Sequence, residues 1–193
     1  LIGIVIGTIV ALMKLSVKKN GKPTILSHIA TIYIDIIRGT PSVLQVMIMY
    51  FAIMASCSSG ILVASVTFGI NSGAYVAEII RAGILAVDKG QTEAGRSLGL
   101  SSFQTMRYIV LPQAFKNVLP PLCNEFIVLI KETAIVGYVG LSDLTRVAHQ
   151  ITTKTYDAFT PLIGAAVIYF VLIKILTKLL GLLERRLRKS DIR

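Results

Sequence analysis

The sequence predicts an all-α, polytopic membrane protein with about five transmembrane helices and a short helical loop on the cytoplasmic side. Three observations predict it. First, the chain of 193 residues is 54% hydrophobic and has a mean hydropathy of +0.74, whereas an ordinary soluble domain is roughly 45–50% apolar even with glycine counted. Second, the apolar residues gather in long runs, and a helix needs about 20 of them to cross the hydrocarbon layer. Third, the net charge of +10 collects at the ends of those runs, as in cytoplasmic membrane loops. That placement argues for a lipid bilayer as the partner and against nucleic acid.

Leu1–Leu15 is read as the visible part of a first span, with the natural N-terminus expected upstream. It has neither the charged lead nor the cleavage site of a signal peptide. Lys14, Lys18, Lys19 and Lys22 follow it. Pro23–Ile37 is amphipathic and stops at the breaker cluster Arg38-Gly39-Thr40-Pro41. Pro41–Ser56 is predicted as the second span and Ser56–Gly60 as an uncharged turn. Ile61–Val87 is the third span, and Asp88–Lys116 a polar loop. Asn117–Val139, entered through Pro120-Pro121, is the fourth span. Gly140–Asp157 is a polar connection whose only Lys or Arg residues are Arg146 and Lys154, and Ala158–Leu183 is the fifth span, closed by the basic run Glu184-Arg185-Arg186-Leu187-Arg188-Lys189. The whole chain, 1–193, reads as a single transmembrane domain.

Positive charge falls on one side of these alternating spans. That side holds the Lys14–Lys22 cluster, the 88–116 loop and the basic C-terminus, which are therefore expected in the cytoplasm, with residue 1 outside. Lys174 and Lys178 snorkel toward the inner headgroups. Cys57 and Cys123 lack metal or redox spacing and read as small apolar packing residues. His28 and His149 are isolated. No metal site is predicted.

The polar loop is expected to be two short helices. Gly90–Leu98 forms the first, with Gly99 past its end, where a left-handed backbone costs glycine little. Ser101 and Gln104 form a capping box for the second, which is predicted to end before Pro112. Ala94, Leu98 and Leu100 give this element an apolar surface suited to a partner's groove; an interfacial loop on lipid headgroups is the alternative.

Ionisable groups inside spans are functional candidates. Asn71, Tyr75 and Glu78 share one face of the third span. Gly69, Gly73 and Ala77 lie on the other face, where another helix can approach closely. Arg81, three residues on, is placed to pair with Glu78. Glu125 has no obvious basic partner in sequence and lies roughly 12–15 Å from the inner end of its predicted span. An unpaired carboxylate at that depth is protonated or awaits a cation, and a basic residue from elsewhere in the fold is the competing answer.

Glu93-Ala94-Gly95-Arg96-Ser97-Leu98-Gly99, nine residues, then Ile109-Val110-Leu111-Pro112 resembles the EAA-x3-G-x9-I-x-LP coupling loop of ABC importer permeases. Gly95 in place of the second alanine is the one departure. Arg38-Gly39-Thr40-Pro41, Ala74-Tyr75-Val76-Ala77-Glu78-Ile79, Lys89-Gly90-Gln91 and Lys131-Glu132-Thr133 look like the polar amino acid branch of that family, so the resemblance covers nearly the whole chain.

The resemblance implies a permease subunit of a bacterial inner-membrane amino-acid importer. It would pair with a second permease subunit, identical or not, and with ATP-binding subunits contacted through Glu93, Ala94, Gly95, Leu98 and Gly99. An extracytoplasmic amino-acid-binding protein would deliver the substrate. The chain has no GxxxxGK[ST] loop, so ATP and Mg fall to the ATPase and no cofactor is expected here. A Glu after Asn124, itself at the branch's Pro-x3-Asn position, is similar to members handling basic amino acids. The expected substrate contacts are therefore Glu125, Asn124, Asn71, Tyr75 and Glu78. Glutamine or another neutral polar amino acid is the alternative cargo. An ion-coupled secondary transporter is a further reading, opposed by the absence of a visible internal repeat. A membrane scaffold without transport is another. No enzyme motif such as HExxH or GxSxG is present.

Overall fold

A computed structural model describes residues 1–17 and 22–189. Lys18 and Lys19, and the side chains of the basic run 185–189, lie outside the described residues. The described chain is helical with no β-strand; one isolated bridge joins Val17 and Pro23.

The central element is α4, Gly60–Leu85, whose N-terminus is capped by the Ser59 hydroxyl accepting from Leu62 N at 3.3 Å. Helix α1, Ile2–Leu15, lies against the small-residue face of α4. A Cβ added at Gly7 would stand 2.5 Å from a Val76 methyl, and one at Gly73 2.8 Å from an Ile6 methyl. Backbones approach this closely only where side chains are absent. Helix α2, Ile25–Gly39, closes the third side. Val10, Ala11, Ala30, Ile34, Ala74 and Ala77 form the buried core of this trio.

The predicted second span is corrected. Helix α3, Ser42–Ile48, runs into a single π-helical turn, Met49–Ile53, and the two together are too short to cross a bilayer. They reach the length and apolarity of a crossing only jointly with α2, from which they turn by 104°. The breaker cluster is thus a bend within a paired segment, a broken span or a re-entrant loop, rather than the boundary before a separate span. Pro41 cannot donate a backbone hydrogen bond to the preceding turn. Gln45 replaces that bonding, its amide donating to Ile37 O at 2.7 Å and to Thr40 Oγ1 at 2.8 Å.

The second loop helix and the fourth span are also re-drawn. Helix α5 is Lys89–Ser97 and α6 is Ser102–Thr105. The chain does not stop before Pro112: a π-helical turn, Met106–Val110, carries α6 directly into α7, Leu111–Glu132. Pro112 follows directly on that turn, in which Leu111 N donates five residues back to Met106 O, so the helix runs on past a residue that has no N–H to donate. Pro120 and Pro121 lie inside this helix, not at its entrance. Nearby, the Asn117 amide donates to Gly83 O of α4 at 3.3 Å, anchoring α7 across the gap. A 3-10 stretch, Thr133–Val139, then packs its Val136 and Val139 against Val46 and Ala64.

The polar connection contains an amphipathic helix, α8, Leu144–Thr155, N-capped by Asp143. Finally α9, Phe159–Lys189, carries an apolar window of which only 6% is buried, leaving that surface for lipid or a partner. By length and composition, α4, α9 and the bent α2–α3 pair are the membrane-crossing candidates among the described residues.

Candidate functional site

The polar loop is a rigid bent pair. Asp88 caps α5, its carboxylate accepting from Gly90 N at 2.6 Å. Gly99 takes φ +83°, Gly99 N donates to Arg96 O and Leu100 N to Gly95 O. That double bonding is a Schellman ending. The Ser101 hydroxyl accepts from Gln104 N at 3.2 Å, and the Gln104 amide oxygen accepts from Ser101 N at 2.8 Å, the expected capping box.

The departure at Gly95 has a steric reason. Gly95 is buried, and a Cβ there would stand 2.8 Å from Ile109 Cδ1 and 2.9 Å from Thr105 Cγ2. Glycine lets α5 settle onto the π-helical turn. Gln113 Nε2 donates to Gln91 Oε1 at 3.2 Å, so α5 is tied to the start of α7 as well. Glu93 and Ala94 are exposed, and Leu98 is 80% and Phe103 70% exposed. Phe103 was not singled out from the sequence, although an aromatic two positions after the cap marks the same surface.

Within the helices, the five predicted substrate contacts do not form one cluster. Glu78 is held twice, by Lys14 Nζ at 2.7 Å and by Arg81 Nη2 at 2.9 Å. The pairing with Arg81 was legible in sequence; the one with Lys14 was not. Tyr75 lies beside Glu78, with the Arg38 guanidinium 5.2 Å from its ring centroid. Arg38, Tyr75, Glu78 and Asn117 border a cavity of about 430 Å³.

Asn71 is only 3% exposed and donates to Gln45 Oε1 at 2.8 Å, so it holds the α2–α3 bend. Glu125 borders a different cavity, of about 530 Å³, with Ser72, Phe68, Leu122 and Leu129. Counted from Leu111, it stands about 21 Å along α7 at 1.5 Å per residue. No ion pair to Glu125 occurs among the described residues, and the charges that act on it are those of Glu132 and Arg38. Asn124, beside it, is exposed. Arg38, Gln45 and Lys14 are the polar residues that sequence reasoning left without a role here.

The bent helical loop, the small-residue helix seam and the two acid-lined cavities are the features to set beside known proteins. Residues 3–189 match the model of the binding-protein-dependent transport system inner membrane component family. The chain belongs to that family. It is a membrane permease subunit of an ABC transporter, not an enzyme.

The similarity extends to amino-acid permeases. An arginine transport system permease protein of Bacillus subtilis (strain 168) is 45% identical over 194 residues, covering 99% of this chain and 86% of that one. A glutamine transport system permease protein of Escherichia coli (strain K12) is 41% identical over 168 residues, covering 85% and 77%. A crystal structure of an amino acid ABC transporter with histidines superposes with a TM-score of 0.86 at 48% identity, covering 96% of this chain and 85% of that one. An inward facing methionine ABC transporter, 20% identical with a TM-score of 0.80, shares the fold. This permease therefore belongs to an amino acid ABC transporter.

Proposed function

We propose that this permease imports basic amino acids (arginine, lysine or histidine) and that Glu125 receives their cationic side chain. One observation carries the reading: Glu125 borders an apolar cavity deep along α7, without an ion-pair partner among the described residues. A carboxylate so placed needs a cation or a proton, and a substrate ammonium or guanidinium supplies the first. The arginine-named relative and the structure solved with histidines support this choice. Asn124 and Tyr75 offer polar atoms to the rest of the amino acid. Asn71 and Glu78 act one step back, Asn71 through Gln45 and Glu78 through its ion pairs with Lys14 and Arg81.

In this reading, residues 1–193 form one transmembrane domain of a bacterial cytoplasmic membrane, with the N-terminus outside and the C-terminus inside. It pairs with a second permease subunit, and ATP and Mg are bound by the ATPase subunits. ATPase closure pushes on α5 and α6 through Leu98 and Phe103. The continuous α6–α7 backbone passes that displacement to the helix bearing Glu125, and the cavity opens outward to a loaded binding protein. Hydrolysis returns it inward.

A neutral cargo is the second reading, supported by the glutamine-named relatives. Thermal unfolding of the permease–ATPase assembly with each amino acid separates the two, because a ligand of the native state raises its apparent stability with saturation. Stabilisation by arginine, lysine or histidine is expected. Stabilisation by glutamine alone overturns the basic reading.

A further inference from the structure

Arg38 ends α2 at the 104° bend, a setting in which transporters expose polar groups at membrane depth. Its guanidinium lies 5.2 Å from the centroid of the Tyr75 ring and borders the cavity shared with Glu78 and Asn117. Among the described residues it makes no ion pair. Asp35, one turn back on α2, does not supply one. Glu78, the acid of this cavity, is already answered by both Lys14 and Arg81, so Arg38 is not needed to neutralise it. Asn117 has turned its amide onto Gly83 O.

The result is a cation with an open fork of donors, steadied by an aromatic face; its charge reaches Glu125 across the helices, but it makes no ion pair among the described residues, and Glu78, the acid lining its cavity, is already committed. A cation at membrane depth is expensive unless it meets an anion or water. A guanidinium matches a carboxylate bidentately, with two parallel hydrogen bonds. Every α-amino acid carries such a group whatever its side chain.

We propose that Arg38 is a carboxylate-recognition residue of the translocation path, taking the α-carboxylate of the amino acid while Tyr75 holds the guanidinium in place. The inference rests on the reading of the chain as an amino-acid importer, and not on its choice of basic cargo. Arg38 and Glu125 border different cavities formed in part by α4 and α7. The two poles of an amino acid are thus met by different elements, the bend of α2 and the deep part of α7. A substrate bridging them would be sensitive to any movement of α7 relative to that bend.

The test uses the permease–ATPase assembly purified in detergent, without binding protein, and compares L-arginine with agmatine, the same molecule lacking the carboxylate. L-Glutamine and 4-aminobutanamide form a parallel pair. Affinity is read from ligand-dependent thermal midpoints. The unaltered protein is expected to prefer the carboxylate-bearing member by about tenfold, the scale of one charge-assisted bond. Arg38→Gln is expected to erase that preference by weakening the amino acid and leaving its decarboxylated partner unchanged, with Arg38→Lys in between.

Persistence of the preference in Arg38→Gln overturns the proposal. So does a variant that only loses assembly stability, which assigns the guanidinium to a lipid phosphate or a subunit contact. If the glutamine pair responds and the arginine pair does not bind, basic selectivity falls while the role of Arg38 stands. Should Arg38→Gln fail to assemble, Tyr75→Leu replaces it. Removing the ring is expected to cut the preference severalfold, and an unchanged preference overturns the proposal.

Discussion

Lys14 of α1 and Glu78 of α4, 64 residues apart in sequence, meet at 2.7 Å. With Arg81 Nη2 on the second carboxylate oxygen, this pair fastens the first helix to the central one beside the cavity bordered by Arg38. Glu78 is the shared acceptor, so the two ways of breaking the contact are unequal. Lys14→Met leaves Glu78 with Arg81 and is expected to cost about 1–2 kcal/mol, below the roughly 3–5 kcal/mol of a fully buried broken pair. Glu78→Gln strands two cations and is expected to cost about 3 kcal/mol. Thermal unfolding in detergent should place Glu78→Gln well below Lys14→Met.

The α1–α4 seam predicts a contrast between glycines. A Cβ at Gly7 would stand 2.5 Å from a Val76 methyl and 2.9 Å from Gly73 O, whereas one at Gly164 on α9 meets nothing within 4 Å. Gly7→Ala is expected to destabilise by about 1–3 kcal/mol, the cost of overpacking. Gly164→Ala should be neutral or slightly stabilising, because alanine favours a helix. Unfolding midpoints of the two variants measured side by side check this.

The exposed apolar edge of the loop predicts a loss of coupling without a loss of fold. Leu98 is 80% exposed, so Leu98→Ala should change stability by no more than about 0.5 kcal/mol. Its capture of the ATPase in a detergent pull-down should nevertheless fall. Gly99→Ala has no steric neighbour but sits at φ +83°, which costs a non-glycine residue about 1–2 kcal/mol. That variant is expected to loosen the bend and lower transport per ATP hydrolysed.

Asn71 and Gln45 predict that the α2–α3 bend is held by side-chain amides. Asn71→Leu removes the donor to Gln45 Oε1 and leaves a polar atom unpaired beside the bend, at a cost of about 1–3 kcal/mol. Asn71→Asp, which keeps the shape but offers no amide donor when ionised, should be no better. Hydrogen exchange of the 37–45 segment is the sensitive readout, and it should quicken in both variants.

Local features of this protein were readable in sequence, and long-range ones were not. Gly99, the Ser101/Gln104 box and the Glu78–Arg81 pair involve residues within four positions of each other, so their chemistry is written along the chain. The small residues of α4 were legible because helical period alone puts Gly69, Gly73 and Ala77 on one face. Lys14 with Glu78 and Asn71 with Gln45 depend on which helices become neighbours. The fusion of α6 into α7 is hidden in sequence because a proline ordinarily ends a helix. A π-helical turn relaxes the backbone bonding just before Pro112 and lets the helix continue. The helix inside 140–157 was hidden by its short length and polar outer face.

Uptake of L-arginine and L-glutamine by proteoliposomes is the most direct test of the account. They should carry the full transporter, with Glu125→Gln compared against the unaltered permease at limiting amino acid. The account predicts that arginine uptake falls by at least about tenfold, the loss of one charge-assisted contact, while ATP hydrolysis without substrate is retained. Unchanged arginine uptake by Glu125→Gln would contradict it.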